Sequence, residues 1–487
     1  VKFIIYIILF STFFCKIHTH SDRTELLKNA PSSPKKIGII HYRVGRTDGV
    51  SLEIEKRKNI LESLGHTVKL ISGPVQNGAN FIIDELEFEH PDILQIKENC
   101  FEFFGKKNLK PQELIKKIFT VSKIIEHEFL EYQKQENFDL LLIHNIFSLG
   151  LHIAAASAFY NVIQKLNIPT IATHHDYYWE RKEFQKPTNK LIRTYLELYV
   201  PPKNKNIHHV CINSLAQKEL KKRKGIDSSV FPDVFDFHQQ QWQVDDYNAD
   251  FLEQINVQPN DLIILQATRI VNRKGIEIAI QFVKELEKQK KQIEGKRLYN
   301  GKVITKDSQI IFVIAGFTEK FAQPYLQKLK QEISNTGIKV KFIYDIIDAE
   351  RKICNNRKIY SLWDAYVFAD IITYPSLFEG WGNQFLEAVF AKKPVVLFEY
   401  PVFKTDIKKE GYSIISLGST VEKEDDNGLV AINKNKLQEA VLKSIHVLTS
   451  SETLNSMGKN FNIGLQYHSY DVLRKFLINR IGQTKDS

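Results

Sequence analysis

Cysteine is scarce. The 487 residues hold four, Cys15, Cys100, Cys211 and Cys354, widely scattered and never as C-x-x-C. That argues against a zinc ribbon or a disulfide framework and favours free, mostly buried thiols in a reducing compartment. No apolar run approaches the ~20 residues of a membrane-spanning helix. The strongest, Phe3 to Phe14 after Lys2, is too short. No short repeat and no zinc-finger, RRM or helix-turn-helix signature is visible, and there is no H-E-x-x-H. Negative charge is in deficit, with Asp+Glu 57 against Lys+Arg 67, a net +10. The excess suits an anionic partner: nucleic acid, a membrane surface or a phosphorylated small molecule.

What is present is ordinary globular composition, 43% hydrophobic and 25% charged. It argues against disorder and a polytopic membrane protein. The length suits two large domains. Three readings stay open for residues 1–35: a signal peptide, a membrane anchor, or an extension upstream of the true start. The chain opens on Val1, and the segment is set aside in reasoning about fold.

From Ile37 onward, short apolar runs alternate with helical patterns. Strands are expected at Ile37–Ile40, Val68–Ile71, Leu140–Ile143, Thr170–Thr173 and Val210–Asn213, with a helix over Ser51–Leu64. After a polar, linker-like stretch from Gln239 to Asp250 the pattern restarts. Strands follow at Leu262–Ala267, Ile310–Ala315, Val340–Tyr344, Ile371–Tyr374 and Val395–Leu397. Alternation of this kind predicts parallel sheets covered on both faces. The Lys-rich insertion Lys288–Asp307 reads as a solvated loop or helix extension. The expected organisation is residues 36–240 as an N-terminal Rossmann-like domain and 241–433 as a C-terminal Rossmann-like domain. Helices follow over 434–487.

In open α/β sheets, ligands bind beyond the carboxyl ends of the strands. The candidate chemistry sits there. Pro375-Ser376-Leu377-Phe378-Glu379-Gly380-Trp381-Gly382-Asn383-Gln384-Phe385-Leu386-Glu387-Ala388 follows a strand and enters a helix. Gly380 and Gly382 allow close approach to the backbone. The amides of Gly382, Asn383 and Gln384 make a helix N-terminus suited to phosphate. Glu379 and Glu387 can accept hydrogen bonds from vicinal hydroxyls. A Gly-rich turn with one Glu at the helix N-terminus and one on the surface is the plain structural alternative.

These spacings, with AVFAKKP downstream, resemble the nucleotide-sugar signature of glycosyltransferase family 4. Ala267-Thr268-Arg269-Ile270-Val271-Asn272-Arg273-Lys274-Gly275 resembles that family's Arg-x4-Lys-Gly element. The likeness is firm over residues 262–399 and looser over 37–213. It implies the GT-B fold, two Rossmann-like doubly wound domains facing a central cleft. It also implies a retaining transferase that uses a nucleoside-diphosphate sugar without metal or cofactor. Arg269 and Lys274 would bind the diphosphate, Glu387 the ribose and Glu379 the sugar hydroxyls.

In the first half, Gly49 of Thr47-Asp48-Gly49-Val50 falls where the family has a Gly-rich loop, with Asp48 toward the acceptor. Asn145 ends the DLLLIHN strand beside His144. In Thr173-His174-His175-Asp176-Tyr177-Tyr178-Trp179, the family's sugar-contacting His corresponds to His175, with His174 as the fallback. Tyr177, Tyr178 and Trp179 either stack on an acceptor sugar or pack a hinge. The implied partners are a nucleotide-sugar donor and a sugar, lipid-linked or small-metabolite acceptor, with no nucleic acid. The expected location is cytoplasmic, and peripheral membrane contact through the N-terminal segment stays open. A GT-B sugar-nucleotide epimerase is the rival enzyme. A basic nucleic-acid or membrane-binding protein leaves the paired Glu and Arg/Lys elements unexplained.

Overall fold

The computed structural model describes residues 33–45, 48–74, 78–106, 108–424 and 428–483. Cys15 and nearly all of the N-terminal extension lie outside this range, as does Thr47. Among the described residues no helix is long and apolar enough to cross a membrane. Cys100, Cys211 and Cys354 are free thiols, the first two buried and the third exposed.

The chain divides into two compact units. One comprises residues 1–210, 224–229 and 471–487, the other 211–223 and 230–470. This differs from the sequence-based boundaries in two ways. The stretch after Val210 joins the second unit early, and the last helix, Tyr470–Gln483, belongs mainly to the first.

The first unit is built on β1 (Lys36–Ile40), β2 (Thr67–Ser72), β3 (Phe81–Ile82), β4 (Leu140–His144), β5 (Thr170–His174), β6 (Ile207–Cys211) and β7 (Ser228–Val230), in the order β3-β2-β1-β4-β5-β6-β7. β1 lies parallel to both neighbours, with Ile37 opposite Val68 and Leu140.

The second unit carries β8 (Leu262–Gln266), β9 (Ile310–Ile314), β10 (Lys339–Phe342), a small sheet of β11 (Ile347–Asp348), β12 (Lys352–Cys354) and β13 (Arg357–Ser361), then β14 (Ile371–Tyr374), β15 (Val395–Leu397) and β16 (Ile415–Ser416). Its main sheet runs β10-β9-β8-β14-β15-β16, all parallel. β8 and β9 are buried at every position, which explains why every residue but Gln266 is apolar.

In each sheet the strand order reverses once, between β1 and β4 and between β8 and β14. Those switch points are where such folds bind ligands.

Two sequence expectations need correction. The insertion after Lys288 is not merely solvated. Ile293, Leu298 and Ile304 are buried in the core, and Lys302 Nζ lies 2.7 Å from the fully buried Asp370 carboxylate. Nor is 239–250 a free linker. Trp242 stacks on Trp363 with ring centroids 5.0 Å apart, and Asn248 donates to Asp364 at 2.9 Å.

Candidate active site

In the second unit, the loops after β8 and β14 are clasped together. Leu377 N donates to Arg273 O at 2.8 Å, and Arg273 Nη1 donates to Phe378 O at 3.1 Å. Gly275 sits at φ +59, and a Cβ there would lie 2.4 Å from the Pro375 carbonyl, so only glycine fits.

This clasp sets Glu379. Its carboxylate is buried, ion-paired to Lys274 on Oε1 and to Arg273 at 2.7 Å on Oε2. Burial pushes its pKa up, but the two cations overrule that and hold it at about 2. Lys274, almost wholly buried, is pulled down by burial and partly restored by Glu379. Its ammonium also lies 5.6 Å from the Tyr374 ring centroid.

The sequence does not single out Arg273, yet it shares Glu379 with Lys274. Arg269 pairs with Glu319 after β9 and is exposed, and its charge also bears on Lys274. Neither Arg273 nor Glu319 stands out in a basic loop until the fold brings its partner near.

The signature ends on the Asn383–Phe390 helix. Gly382 precedes it at φ +146. The amides of Asn383 and Gln384 open the helix, where backbone N–H groups lack intrahelical acceptors. Gly380 is held through its carbonyl by Asn213 Nδ2 at 2.8 Å. Glu387 accepts a hydrogen bond from the buried Tyr366 hydroxyl at 3.0 Å. Tyr366, also unmarked in the sequence, therefore orients Glu387. Replacing it by Phe leaves the Glu387 carboxylate without this donor and is expected to cost about 1–3 kcal/mol of stability. Denaturant unfolding of the variant checks this; an unchanged midpoint contradicts it.

In the first unit, Asp48 caps the Gly49–Ser63 helix. Its Oδ1 accepts from Val50 N and Ser51 N, each at 3.1 Å, and its Oδ2 from Ser51 Oγ at 2.7 Å. Capping is thus its visible role. A Cβ added at Gly49 would meet no atom within 4 Å, so the described residues do not demand glycine there.

The structure separates the two adjacent histidines. His174 is buried with Nε2 2.8 Å from His209 Nδ1, and His209 Nε2 donates to Pro202 O at 3.1 Å. His175 is only half-buried. Its amide donates to Asn145 Oδ1 at 2.8 Å, and its ring stacks on His144 at 5.8 Å. Asn145, in the left-handed region at φ 57, thus positions His175. Tyr177 is fully buried under Trp179, with centroids 4.3 Å apart. Packing is the role this geometry gives Tyr177. Tyr178 meets Trp179 edge-on at 5.0 Å, and both stay half-buried.

Burial pulls His175 down to about 4, helped by the Arg57 charge. His144 and His174 are pushed well below the ordinary value, and His152 and His209 to about 4, again by burial. The unfolded chain takes up these protons near pH 6.5; the folded chain resists until about 4. Stability is therefore complete above pH 6.5 and lost as pH falls toward 4. Scanning calorimetry is expected to show a falling Tm across that window, and a flat Tm contradicts it.

Among the described residues no group of three or more His, Cys, Asp or Glu side chains is placed to hold a metal ion.

Residues 248–462, all within the second unit, match the family described as glycosyl transferases group 1. The chain is 41% identical over 441 residues to a mannosylglucosylglycerate synthase of Petrotoga mobilis, covering 90% of this chain and all of that one. It belongs to the group 1 glycosyltransferases. A mannosylglucosylglycerate synthase of Thermotoga maritima is 36% identical, over 92% of this chain and 99% of that one. The structure of a sucrose-phosphate synthase from Thermosynechococcus elongatus superposes with a TM-score of 0.57 at 13% identity, over 92% of this chain and 98% of that one. That likeness bears on the fold, which is GT-B.

Proposed function

We propose that this glycosyltransferase moves a mannosyl group from a nucleoside-diphosphate mannose to a hydroxyl of glucosylglycerate, with retention of anomeric configuration and without metal. The observation that carries this reading is the 41% identity to a mannosylglucosylglycerate synthase over that enzyme's whole length. The family 4 likeness of Arg269, Lys274, Glu379 and Glu387 supports it.

In this reading the diphosphate lies against Arg269, Lys274 and the amides of Gly382, Asn383 and Gln384. Cations and a helix N-terminus stabilise charge developing on a phosphate leaving group. Glu387 binds the ribose. Glu379 fixes Lys274 and Arg273, and its remaining lone pairs accept from sugar hydroxyls. His175, neutral at physiological pH, orients the sugar by hydrogen bonding. The acceptor hydroxyl attacks from the face the diphosphate leaves, and a departing phosphate oxygen takes its proton. No strong base is then needed.

The test is product analysis. Purified enzyme, an α-linked mannosyl nucleotide and glucosylglycerate, with a chelator present, should give an α-mannosyl linkage in the one-bond C–H coupling by NMR. A β-linked product removes retention. Absence of product with this acceptor, while another sugar acceptor is mannosylated, removes the acceptor assignment.

A further inference from the structure

The turn after β9 is fastened to the turn after β8. A Cβ added at Gly316 would lie 1.8 Å from the Thr268 carbonyl oxygen and 2.8 Å from the Arg269 Cα, so the two backbones touch. Ile270 N donates to Phe317 O at 2.9 Å, and Ile270 forms a parallel bridge with Thr318. Thr268 is also held from the sheet. Its Oγ1 accepts from Gln266 Nε2 at 2.6 Å, and Gln266 Oε1 accepts from Thr373 Oγ1 at 2.7 Å. All three side chains are fully buried, and the chain they form crosses from β14 to β8 at the switch point. Arg269 therefore stands on backbone that is fixed on both sides.

The turn after β9 does not serve a core. Phe317 is 56% exposed and Phe321 75%. Between them, Glu319 Oε1 is ion-paired to Arg269 Nη1. A partly exposed pair adds little to stability, so stability does not account for it. The contact does have a direction. It takes Nη1 and leaves Nε and Nη2 without a hydrogen bond to the described residues. Those two nitrogens present parallel N–H groups on one edge of the guanidinium, and that edge matches two oxygens of a phosphate.

We propose that Glu319 is a positioning residue, which grips Arg269 by Nη1 and turns its Nε–Nη2 edge to the diphosphate of the donor. The proposal rests on the reading of Arg269 as a diphosphate ligand above, and names the group that presents it. The role is orientation rather than charge. A carboxylate opposes an anion, but its hydrogen bond restricts a side chain that otherwise has much rotamer freedom to lose on binding.

The experiment is calorimetric titration with GDP and GMP, UDP and UMP, and ADP and AMP. The ratio of diphosphate to monophosphate affinity is the readout, and the pair with the largest ratio in wild type is carried to the variants. Glu319→Ala should cut that ratio about tenfold, the low end for a hydrogen bond to a charged group, with monophosphate affinity and Tm near wild type. Glu319→Gln keeps the acceptor oxygen without the charge and should retain most of the ratio. Arg269→Ala should lose as much or more, and Glu319→Ala added to it should change nothing further, as for two groups acting as one. That pattern supports the assignment. A ratio unchanged or raised in Glu319→Ala but lost in Arg269→Ala overturns it and leaves Arg269 as a diphosphate ligand. A lowered Tm with a preserved ratio makes Glu319 structural and overturns it too, as does a loss in Glu319→Gln equal to that in Glu319→Ala. A ratio that survives in Arg269→Ala, or no preference for any diphosphate in wild type, overturns the diphosphate reading and the proposal with it.

Discussion

Lys274→Met is expected to lower kcat/KM for the donor by about 10²–10³-fold, the loss typical of removing one preorganised group that stabilises developing negative charge. The loss has a second part. Lys274 is a main counter-charge of a carboxylate held at about 2 in a buried site. Without it, the counter-charge left to Glu379 is Arg273, whose side chain is 41% exposed. Breaking a buried pair from one side costs about 3–5 kcal/mol, since a buried charge is left uncompensated. The Glu379 pKa should rise from about 2 toward its ordinary range, so acid stability is lost at higher pH than in wild type. The double variant Lys274→Met/Glu379→Gln should regain much of the stability and none of the activity. Denaturant unfolding and donor kinetics on the three proteins check this. Near-normal turnover in Lys274→Met contradicts the site.

Gly382→Ala is expected to be as damaging without touching a charge. Gly382 has φ +146, a region L-residues rarely enter, and an added Cβ would lie 2.5 Å from the Tyr400 hydroxyl. That hydroxyl donates to Trp381 O at 2.6 Å, so it is not free to move aside. Strain of this kind costs about 1–3 kcal/mol. Relief requires shifting the turn that presents the Asn383 and Gln384 amides. Donor turnover should fall by about 10²-fold or more, as for loss of oriented backbone donors. Tyr400→Phe added to Gly382→Ala relieves the clash but not the dihedral angle, so rescue should be partial. Full activity in Gly382→Ala would mean that the turn carries no donor group.

The strands are legible because buried parallel strands have little choice of residue. Leu262–Gln266 and Ile310–Ile314 are apolar at nearly every position and fall within one residue of their expected ends. The strand expected at Val210–Asn213 sits too late. The observed one, Ile207–Cys211, carries His208 and His209, and His209 is buried by pairing with His174 rather than by apolar character. The motif Glu379-x7-Glu387 is readable from spacing. Its supports are not, because Arg273, Tyr366 and Asn213 meet it through separate elements. The Lys288–Asp307 charges mislead for a similar reason, since nothing local announces that Lys302 will meet Asp370. The Glu53–Arg57 pair has the spacing of an ordinary i,i+4 surface pair, and only burial reveals otherwise.

The central claim is mannosyl transfer from a nucleoside diphosphate to a glycerate-bearing acceptor. Nucleoside-diphosphate release tests it most directly. GDP-, UDP- and ADP-linked mannose and glucose would be offered with and without glucosylglycerate, using Glu387→Ala as the control. Release from one mannosyl nucleotide, rising sharply with glucosylglycerate and lost in Glu387→Ala, is the predicted result. Release from a glucosyl nucleotide alone, or release that ignores the acceptor and survives Glu387→Ala, would contradict it.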